Sequence, residues 1–180
     1  HKHKLDTPKI GVLLTNLGTP DAPTIKAVRP YLKEFLSDPR VVQPPPPRWL
    51  WLLILNGFIL NTRPKKSARA YQRVWTTHGD GSPLMDISIK QKKLVEFELK
   101  RRAPGQFVVA LGMRYGRPSI SSALQELEVE DCKKVIVLPL YPQHASSTTD
   151  STFDAVSEAI QDWQMAPELK FINSYNDNDS

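Results

Sequence analysis

Of the four histidines in the chain, His144 stands where a histidine can do chemistry. The apolar run KVIVLPLYPQ, residues 134–143, leads into it, and the hydroxyl-rich stretch ASSTT follows it. A buried strand would thus deliver an imidazole to its own tip, among small polar side chains. Neutral imidazole ligates iron, cobalt or zinc and exchanges a proton near neutral pH; the third reading is a plain turn residue. Other chemistry-bearing groups sit at comparable breaks. Arg114 and Tyr115 close the run QFVVALGMRYG, Ser82 precedes Pro83 in GDGSPL, and Arg63 and Tyr71 lie in NTRPKKSARAY. Each has a structural reading beside the functional one. Arg114 can tie down its own loop, Ser82 can form a common turn, Tyr71 has core spacing to Ala68 and Trp75, and Arg63 can be a surface cation.

Signatures of several other chemistries are missing. The chain has no Walker phosphate loop, no G-x-G-x-x-G after the first strand, no C-x-x-C pair and no H-E-x-x-H. The glycine of TNLGTP, the motif that holds Leu17, supplies a tight turn after the first strand and no more. The single cysteine, Cys132, forbids an internal disulfide and fits a reducing compartment.

Four apolar runs must position these groups: KIGVLLTNL, QFVVALGM, KVIVLPL and LKFINSY. Continuous rather than alternating apolar residues predict strands covered on both faces. Helical patterns lie between them. Residues 24–37 carry Val28, Tyr31, Leu32, Phe35 and Leu36 on one face, with Thr24 as cap and Pro30 as a kink or restart. Residues 87–102 point Ile87, Leu94, Val95 and Leu99 inward and end on basic residues that suit the negative end of a helix dipole. Residues 119–129 and 151–163 make two more helices. This alternation predicts an α/β, Rossmann-like three-layer domain with a mainly parallel four-stranded sheet and right-handed crossovers. Ligands of such sheets bind beyond the carboxyl ends of the strands. The loops TNLGTPD, GMRYGRP and YPQHASSTTD then converge on one rim.

Residues 39–83 break the pattern with four consecutive prolines, the apolar run WLWLLILNGFIL and a basic stretch. The apolar run is about half the ~20 residues needed to cross a bilayer, so it cannot span one. It reads either as a helix pair packed on the sheet or as an inserted helical lip, residues 41–83, covering the rim with apolar and basic side chains. At 180 residues and 40% hydrophobic, the chain fits one domain with a real core. Its net charge of +5 is spread along the sequence and favours anionic ligands or surfaces. No nucleic-acid motif accompanies that charge, so nucleic acid is not an expected partner. The start HKHKLDTPKIG lacks the apolar stretch of a signal peptide.

In order along the chain, GVLLTNLGTPDAP, YLKEFLSDPRVV, GDGSPL, ALGMRYGRPSI and VLPLYPQHASSTT resemble the amino-terminal half of the ferrochelatases. Those enzymes insert ferrous iron into a porphyrin at the close of haem synthesis. The resemblance implies two similar Rossmann-like halves with the porphyrin held between them. Residues 1–180 correspond to the first half, and the second half is absent. The histidine of an S-A-H-S type motif and the glutamate usually assigned to metal handling and proton removal belong to that second half. The expectation is therefore no catalytic residue in this chain and no chelatase activity from it alone.

Position by position, the resemblance places Leu17 against the macrocycle and Arg63 on a propionate. It puts Tyr71 and Ser82 at the mouth of the pocket, and Arg114 and Tyr115 near its bottom. His144 falls where the family usually keeps a tyrosine or phenylalanine, which implies a pocket-lining ring. A strand-tip histidine also matches the metal-approach ligand of shorter chelatases. Fe(II) and protoporphyrin IX are the implied substrates, with no permanently bound cofactor. Ser146 stands where some relatives carry a cluster-binding cysteine, which argues against an iron–sulfur cluster. The implied setting is the cytoplasm, with a peripheral membrane contact through the lip and the oligomeric state open. The rival reading is a non-catalytic porphyrin- or haem-binding module; a third is a short chelatase that dimerises to rebuild the cleft.

Overall fold

The computed structural model describes residues 8–39, 41, 47–75, 81–141 and 146–172, with side chains of the last segment from residue 151 onward. Strands β1 (Ile10–Thr19), β2 (Phe107–Gly116), β3 (Lys134–Pro139) and β4 (Glu168–Phe171) form a four-stranded sheet in the order β2-β1-β3-β4. Every pairing in it is parallel. The helices are α1 (Ile25–Ser37), α2 (Arg48–Ile54), α3 (Leu60–Val74), α4 (Pro83–Arg102), α5 (Ile120–Val129) and α6 (Ser146–Ile160). A π-helical turn, Leu55–Ile59, links α2 to α3. The expected α/β class with its parallel sheet and helices is the one observed.

The central strand divides its side chains between two cores. Leu13 packs with Val135 and Val137 of β3 and with α5 and α6 residues Ile120, Leu124, Leu127 and Val156. Val12 and Leu14 pack with Leu111 and Met113 on the other face, under Met85, Ile89, Val95 and Leu99 of α4. Each fully buried Leu or Val contributes about 1.5–3 kcal/mol. Handedness explains the layering. The β1-to-β2 crossover runs toward one edge and puts α4 on one face; the crossovers to β3 and β4 run the other way and put α5 and α6 on the opposite face. The chain thus leaves β1 and β3 on opposite faces, and sheets of this kind bind ligands beyond the carboxyl ends of two such strands.

Two helix readings change in detail. α1 runs through Pro30 as one helix. Pro30 and Lys26 are both exposed, so the carbonyl deprived of its amide partner can be solvated instead. In α4 the inward residues are Met85, Ile89, Val95 and Leu99. Ile87 and Leu94 instead point outward, 55% and 65% exposed. The misleading residue is Ser88, a polar group on the inward face, where its hydroxyl bonds the Leu84 carbonyl and Asn16. The helix also begins earlier than expected, because Ser82 accepts the Met85 amide as its N-cap.

The close fit of β1 to β2 depends on glycine at two backbone positions, Gly18 and Gly116, the first being the tighter. Gly18 has φ +112°, and a Cβ there would lie 1.8 Å from the Tyr115 carbonyl oxygen. Gly18→Ala is therefore expected to cost at least about 2 kcal/mol. Gly57 has nothing within 4 Å of the equivalent point, so Gly57→Ala should be neutral or stabilising by up to about 1 kcal/mol. Urea denaturation midpoints of the two variants provide the comparison.

Candidate functional site

At its carboxyl end, β1 carries a cluster of polar groups. The Leu140 amide donates to the Thr15 carbonyl at 2.8 Å, the last bond tying β3 to β1. Asn16, 5% exposed, donates through Nδ2 to Ser88 Oγ at 3.1 Å, and its Oδ1 accepts the Leu17 amide. Thr15 Oγ1 is buried here without a hydrogen-bond partner among the described residues. Leu17 itself is half-buried at this rim.

A buried carboxylate organises the next part of the rim. Asp38, the residue that caps the carboxyl end of α1, has a side chain only 3% exposed. Its Oδ2 accepts from Arg114 Nη2 at 3.0 Å, from the Tyr115 hydroxyl at 2.5 Å and from Ser151 Oγ at 2.6 Å. Arg114 also donates through Nε to Ser151 Oγ, and its guanidinium lies 4.6 Å from the centre of the Tyr115 ring. Burying a carboxylate costs several kcal/mol, and the negative end of the helix dipole adds to that cost. Hydrogen bonds to a charged group contribute about 1.5–3 kcal/mol each, so three on one oxygen can offset it. Arg114 is the member of the cluster that reaches the surface, with a side chain 20% exposed. Tyr115 is fully buried.

A tyrosine pair lies beside this cluster. The Tyr31 hydroxyl donates to the Gly18 carbonyl at 3.1 Å and meets the hydroxyl of Tyr71. Tyr71 packs edge-on against Trp75, whose indole lies 3.5 Å from where a Cβ on Gly81 would sit, next to Ser82. Burial raises the pKa of Tyr31, helped by Tyr71, and burial also raises that of Tyr71. In Tyr115, burial and the Asp38 hydrogen bond push the phenol up to about 12.

The residues singled out from the sequence therefore fall into groups. Arg114 and Tyr115 share the Asp38 cluster. Tyr71 reaches the end of β1 through Tyr31 and Gly18, one residue from Leu17. Ser82 is 3% exposed, with its hydroxyl engaged as a helix cap. Arg63 is exposed on α3, and among the described residues no hydrogen bond or ion pair joins it to any of the others. A hollow of ≈ 450 Å³ beside the tips of β1 and β2 is lined by Tyr31, Gly116 and Arg117 but not by Leu17, Arg63, Ser82 or Arg114. His144 lies outside the described residues, and so does the side chain of Ser146. Among the described residues, no group of three or more His, Cys, Asp or Glu converges as a metal site.

α2 and α3 are fastened to α1. Arg48 Nη2 donates to the Ser37 carbonyl at 2.7 Å, Trp51 Nε1 to the Leu36 carbonyl at 2.9 Å, and Gln72 Nε2 to the Pro23 carbonyl at 3.1 Å. Trp49, Leu53 and Phe58 remain more than 60% exposed, at 64%, 62% and 67%. No helix among the described residues is long and apolar enough to cross a membrane.

Asp38, Ser151 and Tyr31 carry this geometry, and the sequence reading gave none of them a role at the site. Asp38 did leave a signal: an acid at the carboxyl end of an amphipathic helix opposes the dipole and calls for a cationic partner.

A family model described as Ferrochelatase matches residues 9–180. The chain is similar to the Ferrochelatase of Hydrogenovibrio crunogenus, 61% identical over 169 residues that cover 94% of this chain and 45% of the relative. It is 55% identical to Ferrochelatase 2 of Shewanella oneidensis over 171 residues, 94% of this chain and 50% of the relative. To the Ferrochelatase of Thioalkalivibrio sulfidiphilus it is 53% identical over 167 residues, 93% of this chain and 44% of the relative. The chain spans about half the length of the curated relatives it matches.

The buried phenol of Tyr115 sets an alkaline dependence. An unfolded tyrosine loses its proton near pH 10, whereas Tyr115 holds its own to about 12. The unfolded state thus binds fewer protons in that window, and stability falls as pH rises through it. Tyr115→Phe should cost about 1–2 kcal/mol at pH 7 and flatten the fall between pH 10 and 12. Urea denaturation at pH 7, 10 and 11 measures both effects.

Proposed function

Because the chain belongs to the ferrochelatase family, we propose that it supplies the porphyrin-holding first half of an enzyme that inserts ferrous iron into protoporphyrin IX. The observation that carries this reading is the cluster at the strand tips. Arg114, reaching from the end of β2 to α6, puts a partly exposed cation at the carboxyl ends of the strands, where ligands of this sheet type bind.

A free porphyrin is flat and carries two pyrrole N–H protons, so metal entry requires a puckered ring and a base to collect protons. In this proposal the chain binds and orients the ring. Leu17 gives an apolar contact to the macrocycle. Arg63, exposed and without a hydrogen-bond or ion-pair partner among the described residues, meets a propionate by charge-assisted hydrogen bonding. Arg114 faces the ring from the strand tips, with Tyr115 beneath its guanidinium. Tyr71 and Ser82 shape the mouth, Tyr71 through Tyr31 and Ser82 by starting α4. His144 is assigned to the approach of the metal, and iron is a substrate rather than a resident cofactor. The segment 41–83 is assigned as the lip over this pocket. Its exposed Trp49, Leu53 and Phe58, beside Arg48, Lys65 and Lys66, give it the character of a surface that touches a membrane peripherally.

Anaerobic mixing of the full-length protein with ferrous iron and protoporphyrin IX, followed through the visible bands of the free ring, tests the reading. Turnover supports it; a stoichiometric spectral shift without turnover supports a binding module instead. The 180-residue chain alone should give no turnover. In the full-length protein, Arg63→Leu should raise KM for the porphyrin by about tenfold or more, as loss of one charged hydrogen bond implies, with kcat little changed.

A further inference from the structure

We propose that Asp38 is a positioning residue that holds Arg114 in its working orientation, and so links the end of α1 to the strand tips and to α6. The inference rests on the assignment of Arg114 to the porphyrin site. Asp38 closes α1, and its one oxygen gathers donors from β2 and α6. Two of the three nitrogens of Arg114 are committed, Nη2 to Asp38 and Nε to Ser151, and Tyr115 supports the face of the guanidinium. What remains is a single presented edge on a side chain that is otherwise covered. A long arginine loses much rotamer freedom when it binds a ligand; one already fixed does not lose it again.

The residue type is informative. A carboxylate at this end of a helix is electrostatically the wrong charge, and it is buried as well. An amide has almost the same shape and would avoid both costs. Its single oxygen is uncharged, however, so it accepts more weakly and lacks the ionic attraction that holds a guanidinium, and it replaces the second oxygen with a donor. An acceptor-only, charged group fits the demand of holding a guanidinium, a phenol and a hydroxyl at one point. Tyr115 and Ser151, which touch both Asp38 and Arg114, complete the support.

The test uses the full-length protein and two readouts. In steady-state kinetics, Asp38→Asn is expected to raise KM for protoporphyrin IX about tenfold with kcat within about threefold. The same change made in an Arg114→Leu background should have no further effect on KM, because Asp38 acts through Arg114. A further tenfold loss in that background would overturn the proposal. Independently of turnover, phenylglyoxal modification of Arg114, followed by peptide mass spectrometry, should be about tenfold faster in Asp38→Asn than in the parent. Equal rates would also overturn it. Should the parent protein show no turnover, the assigned function fails while the modification rates still decide the positioning role. If Asp38→Asn does not fold, Asp38→Glu keeps the charge but moves the acceptor oxygen; it should speed modification about threefold, and an unchanged rate counts against the proposal.

Discussion

The central strand β1 has a neighbour on every side: β2 and β3 at its edges, α4 above and α5 with α6 below. That coverage is the constraint from which the remaining arrangement follows. Because both faces are buried, its side chains are apolar in succession, with Leu13 turned to one core and Val12 and Leu14 to the other. Because both edges are paired, its backbone groups are satisfied along the ladder and the chain must leave by its tip. There the sequence changes from Leu14 to Thr15 and Asn16, and the polar rim begins. Fixing β1 fixes where the strand-end loops meet.

The Asp38 cluster is a different kind of joint. Hydrophobic burial holds the layers together without specifying direction, whereas one carboxylate oxygen with three donors specifies positions to within the tolerance of a hydrogen bond. It joins the end of α1, the tip of β2 and α6, elements separated by long stretches of sequence. Its low exposure strengthens every contact in it and makes the loss of any member costly. The tyrosine pair beside it extends the same ordered region to Gly18 and Trp75.

Strands were legible because continuous Val, Ile and Leu runs bounded by turns admit few other readings, and the parallel order follows from helices placed between them. Thr24 was legible as a cap by residue type. The facing of α4 was not, because Ser88 occupies an inward position that only its tertiary partner Asn16 explains. The family resemblance gave Arg114 and Tyr115 together, but it could not show that one is a surface cation and the other a buried support. The three-way role of Asp38 was hidden for the same reason: its partners Tyr115 and Ser151 lie far along the chain, and no local pattern links them. Arg63 remains isolated from the other candidates among the described residues, so its part rests on family membership rather than on shared geometry.

Cys132 illustrates how a core position can be useful at the bench. It is the sole cysteine in the sequence, 4% exposed between α5 and β3, and burial raises its thiol pKa. A protonated, covered sulfur reacts slowly with alkylating dyes. The 180-residue chain therefore offers a silent background for thiol labelling: a cysteine introduced at an exposed position such as Lys66 on α3 can carry a fluorophore or spin label without first removing Cys132.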